Sequence, residues 1–186
     1  GGIDTLFLPF QHLRYHMPLG FPLLTTKEVS WKNVVVENLW FLSGSTNTKF
    51  LTDHGCKFWN PWADKDGEVP SAYGSFWRRF PHKEIVFEPI GYEWGDTVYD
   101  KSVDQIAWGL DKLQKNPNTR QVVISSWDPR NVINSSLPPC HVVHILTTEP
   151  QEDGSYVLNM HLTQRSCDIA LGLPYNIAGY SFLLHL

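Results

Sequence analysis

Two consecutive prolines, Pro138-Pro139, stand directly before Cys140-His141 and the apolar run Val142-Val143-His144-Ile145-Leu146. Proline fixes its own φ and donates no backbone hydrogen bond, so neither residue can sit inside a sheet ladder. The segment Ser136-Leu137-Pro138-Pro139 therefore reads as a rigid turn that delivers Cys140 to the mouth of a strand. A thiol attacks as its thiolate, and a neighbouring histidine or arginine can lower its pKa enough for that. A buried structural cysteine fits the same residues, so this stretch alone leaves both readings open.

The chain has 186 residues, enough for one domain with a substantial core, and residues 1–186 are read as a single domain. Its 42% hydrophobic and 18% charged residues belong to a globular rather than a disordered chain. A net charge of −4 offers no basic footprint, which argues against nucleic acid as a partner. Cys56, Cys140 and Cys167 are too few and too scattered for a disulfide framework or a zinc site. That fits a reducing, cytoplasmic setting with no metal. No apolar run approaches a membrane span and nothing at the start reads as a signal peptide, so no membrane partner is expected. Eight tryptophans imply a large aromatic core or stacking surfaces for a flat ligand. The chain stops at Leu184-His185-Leu186 inside a helical pattern, as expected of a fragment.

Thr5–Arg14 reads as a strand interrupted by Pro9. Ser30 is a good N-cap for a helix running to about Gly44, with Val34, Val35, Leu39 and Leu42 at helical spacing. Ser45–Gly55 reads as another short helix closed by glycine. Pro81–Tyr99 shows no clean periodicity and reads as an irregular loop. Val103, Ile106, Leu110 and Leu113 mark a helix that ends near Asn116-Pro117. Gln121–Trp127, His141–Thr147 and Tyr156–Gln164 read as strands, and Pro174–Leu186 starts a final helix. Antiparallel-type strands with separate helices make this an α+β fold.

A second stretch, Gln164-Arg165-Ser166-Cys167-Asp168-Ile169-Ala170-Leu171-Gly172-Leu173-Pro174-Tyr175-Asn176-Ile177-Ala178, gives these elements a context. With Leu137-Pro138-Pro139-Cys140-His141, it closely resembles the folate-dependent thymidylate synthase family. Gly20-Phe21-Pro22-Leu23-Leu24-Thr25-Thr26-Lys27, Glu37-Asn38-Leu39-Trp40-Phe41-Leu42-Ser43-Gly44, Trp59, Trp62-Ala63-Asp64, Tyr73-Gly74 and Val103-Asp104-Gln105-Ile106 extend the likeness in family order. The resemblance implies a mixed β-sheet that forms a dimer interface, with helices packed on it. It also implies conversion of dUMP to dTMP with 5,10-methylenetetrahydrofolate as co-substrate. Carbon 5 of uracil is a poor nucleophile, and thiolate addition at carbon 6 turns the ring into an enolate. Cys140 would be that thiolate, supported by Arg165, which would also bind the phosphate. Asn176 would bond the uracil edge, since an amide offers both a donor and an acceptor. Glu37 would be the general acid/base, although its position alone also suits a solvated face.

The same resemblance puts Tyr73 and His141 in supporting and proton-handling positions. It makes Gln164 and Ser166 nucleotide contacts. Trp59, Trp62, Asp168, Leu171, Gly172 and Tyr175 fall on the folate side, with Asp168 shared with the nucleotide. Arg120 would reach across a homodimer interface to the partner's phosphate. Three positions depart from the family pattern. Gln121 replaces the second arginine of a pair, Phe76 stands where a glutamine is usual, and Gly179 replaces a serine. The departures at Gln121 and Phe76 keep a second reading open, a hydroxymethylase in which water adds instead of hydride. A non-catalytic RNA- or partner-binding relative predicts loss of Cys140 or Arg165, and both are present. A cysteine hydrolase would need a base and its orienter, and only His141 is at hand.

Overall fold

The computed structural model describes residues 5–80, 84–90, 93–99, 102–133, 135 and 137–186. Helix α1, Trp31–Ser43, starts where Ser30 Oγ accepts the Asn33 N–H at 3.4 Å. It ends at Gly44, whose φ of 75° closes it with a bond to the Phe41 carbonyl. Its core-facing residues are Val34, Val36, Trp40 and Phe41, while Leu39 is exposed. The helix is apolar nearly all round, so spacing alone selected a stripe rotated away from the true one.

Helix α2, Lys49–Asp53, is shorter than the expected Ser45–Gly55. Helix α3, Tyr73–Arg78, packs against α1, and Gly74 sets how closely. A Cβ at Gly74 would stand 2.5 Å from the Phe41 carbonyl oxygen. Helix α4, Gln105–Lys115, is capped by Asp104, whose side chain accepts from Ala107 N at 2.9 Å. The buried amide of Gln105 stitches three elements together. Its nitrogen donates to Phe76 O and Ser125 O, each at 2.8 Å, and its oxygen accepts from Ser125 N at 2.9 Å.

Residues 84–99 correct the sequence reading. Where an irregular loop is expected, β1 (Glu84–Ile90) and β2 (Glu93–Tyr99) pair antiparallel, with Ile85 opposite Val98 and Phe87 opposite Asp96. Residues 81–83 and 91–92 of that expected loop lie outside the described residues. Thr5–Arg14 is corrected in the opposite direction. It forms no strand, and Leu6, Phe7 and Phe10 are exposed with no described strand beside them.

The main sheet has the order β3-β4-β5, formed by Val123–Ser125, His141–Pro150 and Tyr156–Gln164. Both of its ladders are antiparallel. The parallel pairing that a mixed sheet needs is thus not present among the described strands. A short helix α5, Pro129–Val132, follows β3, and α6, Leu173–His185, covers the sheet against α1. The core centres on Trp40, Trp77, Leu51, Val122 and Ile124, all buried. Trp77 Nε1 donates to the buried Ser126 Oγ at 3.0 Å. Helices packed on an antiparallel sheet make the fold α+β, as expected.

Candidate active site

Cys140 immediately precedes β4, and Arg165 N donates to its carbonyl at 2.9 Å. The prolines before it stay outside the ladder, as their chemistry requires. Its own N–H donates to the phenol oxygen of Tyr73 at 3.0 Å, and the His141 N–H donates to the same oxygen at 3.2 Å. The Tyr73 ring stacks on the His141 ring, with centroids 4.4 Å apart and planes within 3°. Burial pushes the Tyr73 hydroxyl well above the usual tyrosine range, so it remains a neutral phenol.

Arg165 lies behind the proline turn. Its Nε donates to the Pro139 carbonyl at 2.9 Å and an Nη to the Pro138 carbonyl at 2.7 Å. The guanidinium carbon stands 5.9 Å from the Trp127 ring centroid, within cation–π range. Two of five N–H groups are thereby committed, and the remaining edge can still take an anion in a fork.

Glu37 and Phe41 are one turn apart on α1 and face the same cavity. Glu37 Oε1 accepts from Trp59 Nε1 at 2.7 Å. Burial raises the Glu37 carboxyl to about 7, against the lowering effect of the indole bond. A carboxyl with that pKa is present in both protonation states near neutrality and can act as acid or base.

At the start of α6, Asp168 Oδ1 accepts from Ala170 N and Leu171 N at 2.9 and 2.7 Å. Its carbonyl accepts from Gly172 N and Leu173 N. This turn aims Asn176, whose Oδ1 accepts from Gln164 Nε2 at 3.0 Å. The Asn176 side chain also lies within hydrogen-bond reach of the His141 ring.

An open cavity of about 190 Å³ brings together Glu37, Trp59, Tyr73, Cys140, His141 and Gln164. Ser166, Asp168, Gly172 and Asn176 line its other side. Arg165 borders it through the proline turn rather than lining it. Trp62 and Leu171 are exposed and outside it. Tyr175 also lies outside, with its hydroxyl accepting from Ser30 N at 3.2 Å and its ring edge-on to Phe58. Arg120 is exposed and away from the cavity. Two lining residues were not anticipated, Phe41 and Cys167. The four-residue spacing from Glu37 signals Phe41, and Cys167 stands between the predicted Ser166 and Asp168. Burial, then the charges of Cys140 and Asp168, pushes the Cys167 thiol up, which disfavours it as a nucleophile.

The sequence model of the thymidylate synthase family matches residues 1–186. Among curated relatives, the thymidylate synthase of Haloferax volcanii is 40% identical over 190 residues, covering 98% of this chain and 53% of the relative. That of Buchnera aphidicola subsp. Baizongia pistaciae is 39% identical, covering 100% of this chain and 62% of the relative. That of Vesicomyosocius okutanii subsp. Calyptogena okutanii is 40% identical, covering 94% of this chain and 58% of the relative. The chain thus spans between about half and three-fifths of the length of these relatives. With a match that runs its whole length, the chain belongs to the thymidylate synthase family.

Proposed function

We propose that this chain carries the nucleotide-activating part of a thymidylate synthase, which converts dUMP to dTMP with 5,10-methylenetetrahydrofolate. The observation that carries the reading is one cavity holding Cys140 on a backbone clamped by Tyr73, Glu37 poised near neutrality, and the Asn176 amide. Cys140 Sγ adds to carbon 6 of the uracil, and the ring becomes an enolate with nucleophilic carbon 5. Asn176 bonds the ring edge, and Glu37 exchanges a proton near O4 as charge builds and decays there. Arg165 binds the phosphate through the guanidinium edge that Pro138 and Pro139 leave uncommitted.

The residues present fit a reduced folate. Trp59 offers an indole wall, Asp168 keeps one carboxylate oxygen beyond its two turn bonds, and the Gly172 backbone lies against Asp168 in the same cavity lining. When bound, the folate supplies the carbon and the hydride. Arg120, exposed and distant from its own cavity, suits a role across a homodimer interface at the partner's phosphate. Trp62, Leu171 and Tyr175 would contact the folate only beyond the cavity wall. A cytoplasmic setting goes with this metabolism, and no described helix is long and apolar enough to cross a membrane.

One observation favours a second reading. Trp62 is exposed rather than packed over the cavity, so one of the two indoles expected to exclude water does not do so. A dUMP hydroxymethylase shares every step up to the point at which water replaces hydride. Product mass decides between them. The full-length protein, given dUMP and methylenetetrahydrofolate, should yield methylated nucleotide with dihydrofolate. Hydroxymethylated nucleotide with tetrahydrofolate would establish the second reading, and neither product would overturn both.

A further inference from the structure

Strand β4 begins with an irregularity. His141 pairs with Gln164 and Val143 with Thr163, so Val142 is an extra residue and the register shifts there. Regular alternation would send residues 141 and 144 to opposite faces of the sheet. The bulge resets the phase, and His141, His144 and Leu146 are all buried on the inner face. His144 is 1% exposed, and its Nε2 meets no hydrogen-bond partner among the described residues. An orphaned nitrogen in a core costs stability that a phenylalanine of similar shape would not, so it calls for a reason.

Tyr180 of α6 stands between the two imidazoles. Its hydroxyl is 2.9 Å from His141 Nδ1, and its ring centroid is 5.2 Å from the His141 ring and 5.7 Å from the His144 ring. Burial raises the Tyr180 phenol well above its ordinary range, so this bridge is uncharged. Around His144 lie Trp77 of α3 at 5.2 Å, and Ile124 of β3 and Leu162 of β5 as its sheet partners; none is charged. His141 faces Tyr73 of α3, Asn176 of α6, Cys140, and across the cavity Glu37 of α1.

We propose that His144 is a positioning residue that acts on the cavity through His141: the two rings form a buried pair, packed on either side of Tyr180, that takes up its protons one at a time. His141 then meets the cavity as a neutral ring with Nδ1 held inward by Tyr180, and the cation bonded to the Cys140 turn among the described residues is Arg165. Burial lowers both imidazoles to about 4, and the neighbouring His144 adds to the lowering of His141. The assignment deepens the nucleotide reading and rests on it, because neutrality at this wall matters only where a uracil ring is to be bonded.

The test is nitrogen NMR of the full-length protein with labelled histidine, titrated with acid alongside calorimetric binding of dUMP. In the wild type, His141 should stay neutral in one tautomer well below the ordinary histidine range, and the pair should protonate in two separated steps. In His144→Phe, which keeps the ring volume, His141 should titrate at higher pH and the acid limb of dUMP binding should follow it. His144→Gln, polar but without a titrating nitrogen, should do the same if the phenylalanine variant misfolds. Tyr180→Phe should release Nδ1 and give a mixture of tautomers. Independent single-site titrations in the wild type would overturn the pairing, as would an unmoved His141 titration in a folded variant. Failure of the wild type to bind dUMP would overturn the nucleotide reading instead, and the titrations would still report on the pair.

Discussion

Glu37 is a carboxyl held where its charged form is disfavoured. Its folded pKa of about 7 lies above the ordinary 4.5, so between those values the native state keeps a proton that the unfolded chain releases. Its contribution to stability is therefore greatest below the lower value and falls as pH rises to about 7, by about 3 kcal/mol at most. Glu37→Gln should remove that slope. Denaturant unfolding at pH 5 and pH 8 should show the variant gaining on the wild type at the higher pH, while turnover is lost. An unchanged difference between the two pH values would place the carboxyl in water. If Cys140 attacks the ring as proposed, Cys140→Ser should abolish turnover yet leave dUMP binding detectable by calorimetry; retained turnover would exclude the covalent role. Asn176→Asp should shift preference towards dCMP, because it reverses one hydrogen bond at the ring edge. An unchanged ratio of dUMP to dCMP affinity would remove Asn176 from that edge. The type of each of these residues was legible in the sequence, but the state of Glu37 was not. Its pKa depends on burial beside Trp59, twenty-two positions away, which no local pattern encodes.

At the scale of elements, packing is decided by a few close approaches. The Cβ that Gly74→Ala introduces on α3 would stand 2.5 Å from the Phe41 carbonyl of α1, with no flexible side chain to give way. The substitution should cost about 1–3 kcal/mol through overpacking. It should also loosen Tyr73, the next residue, and so raise the rate at which an alkylating agent reaches Cys140. A melting temperature equal to the wild type would contradict that packing. The helices α1 and α4 were legible from their caps, Ser30 and Asp104, although the apolar stripes read from spacing, with Leu39 in α1 and Val103 and Leu110 at α4, are partly exposed. The β1-β2 ribbon was not legible. Ile85-Val86-Phe87 runs apolar without alternation and Pro89 lies within the strand, so period and composition both pointed away from a ladder. Thr5–Arg14 failed for the converse reason. A strand exists only with a partner, and no described strand lies beside that segment to supply one.

For the whole molecule, buried titratable groups oppose one another over one pH range. His141 and His144 fall from 6.5 to about 4 on folding, so the unfolded chain binds more protons between those values. Their stability contribution is intact above about 6.5 and is lost as pH falls towards 4, by about 3 kcal/mol for each ring at most. Glu37 pulls the other way over an overlapping window but counts once. The protein should therefore lose stability on acidification from pH 6.5 to 4, and His144→Phe should remove at least half of the histidine part of that loss. Chemical unfolding across this range checks it, and a flat profile would mean that the imidazoles are hydrated.

The phenol of Tyr73 accepts the amide protons of both Cys140 and His141, which are sixty-seven and sixty-eight positions along the chain. Contacts of such long range form late in folding, because the loop between them must close first. A chain whose α3 has yet to dock on β4 carries Cys140 on a backbone that Tyr73 does not yet hold. Under the proposed function, a nascent or partly opened molecule would present Cys140 without the Tyr73 clamp, and turnover should appear only once α3 has docked on β4.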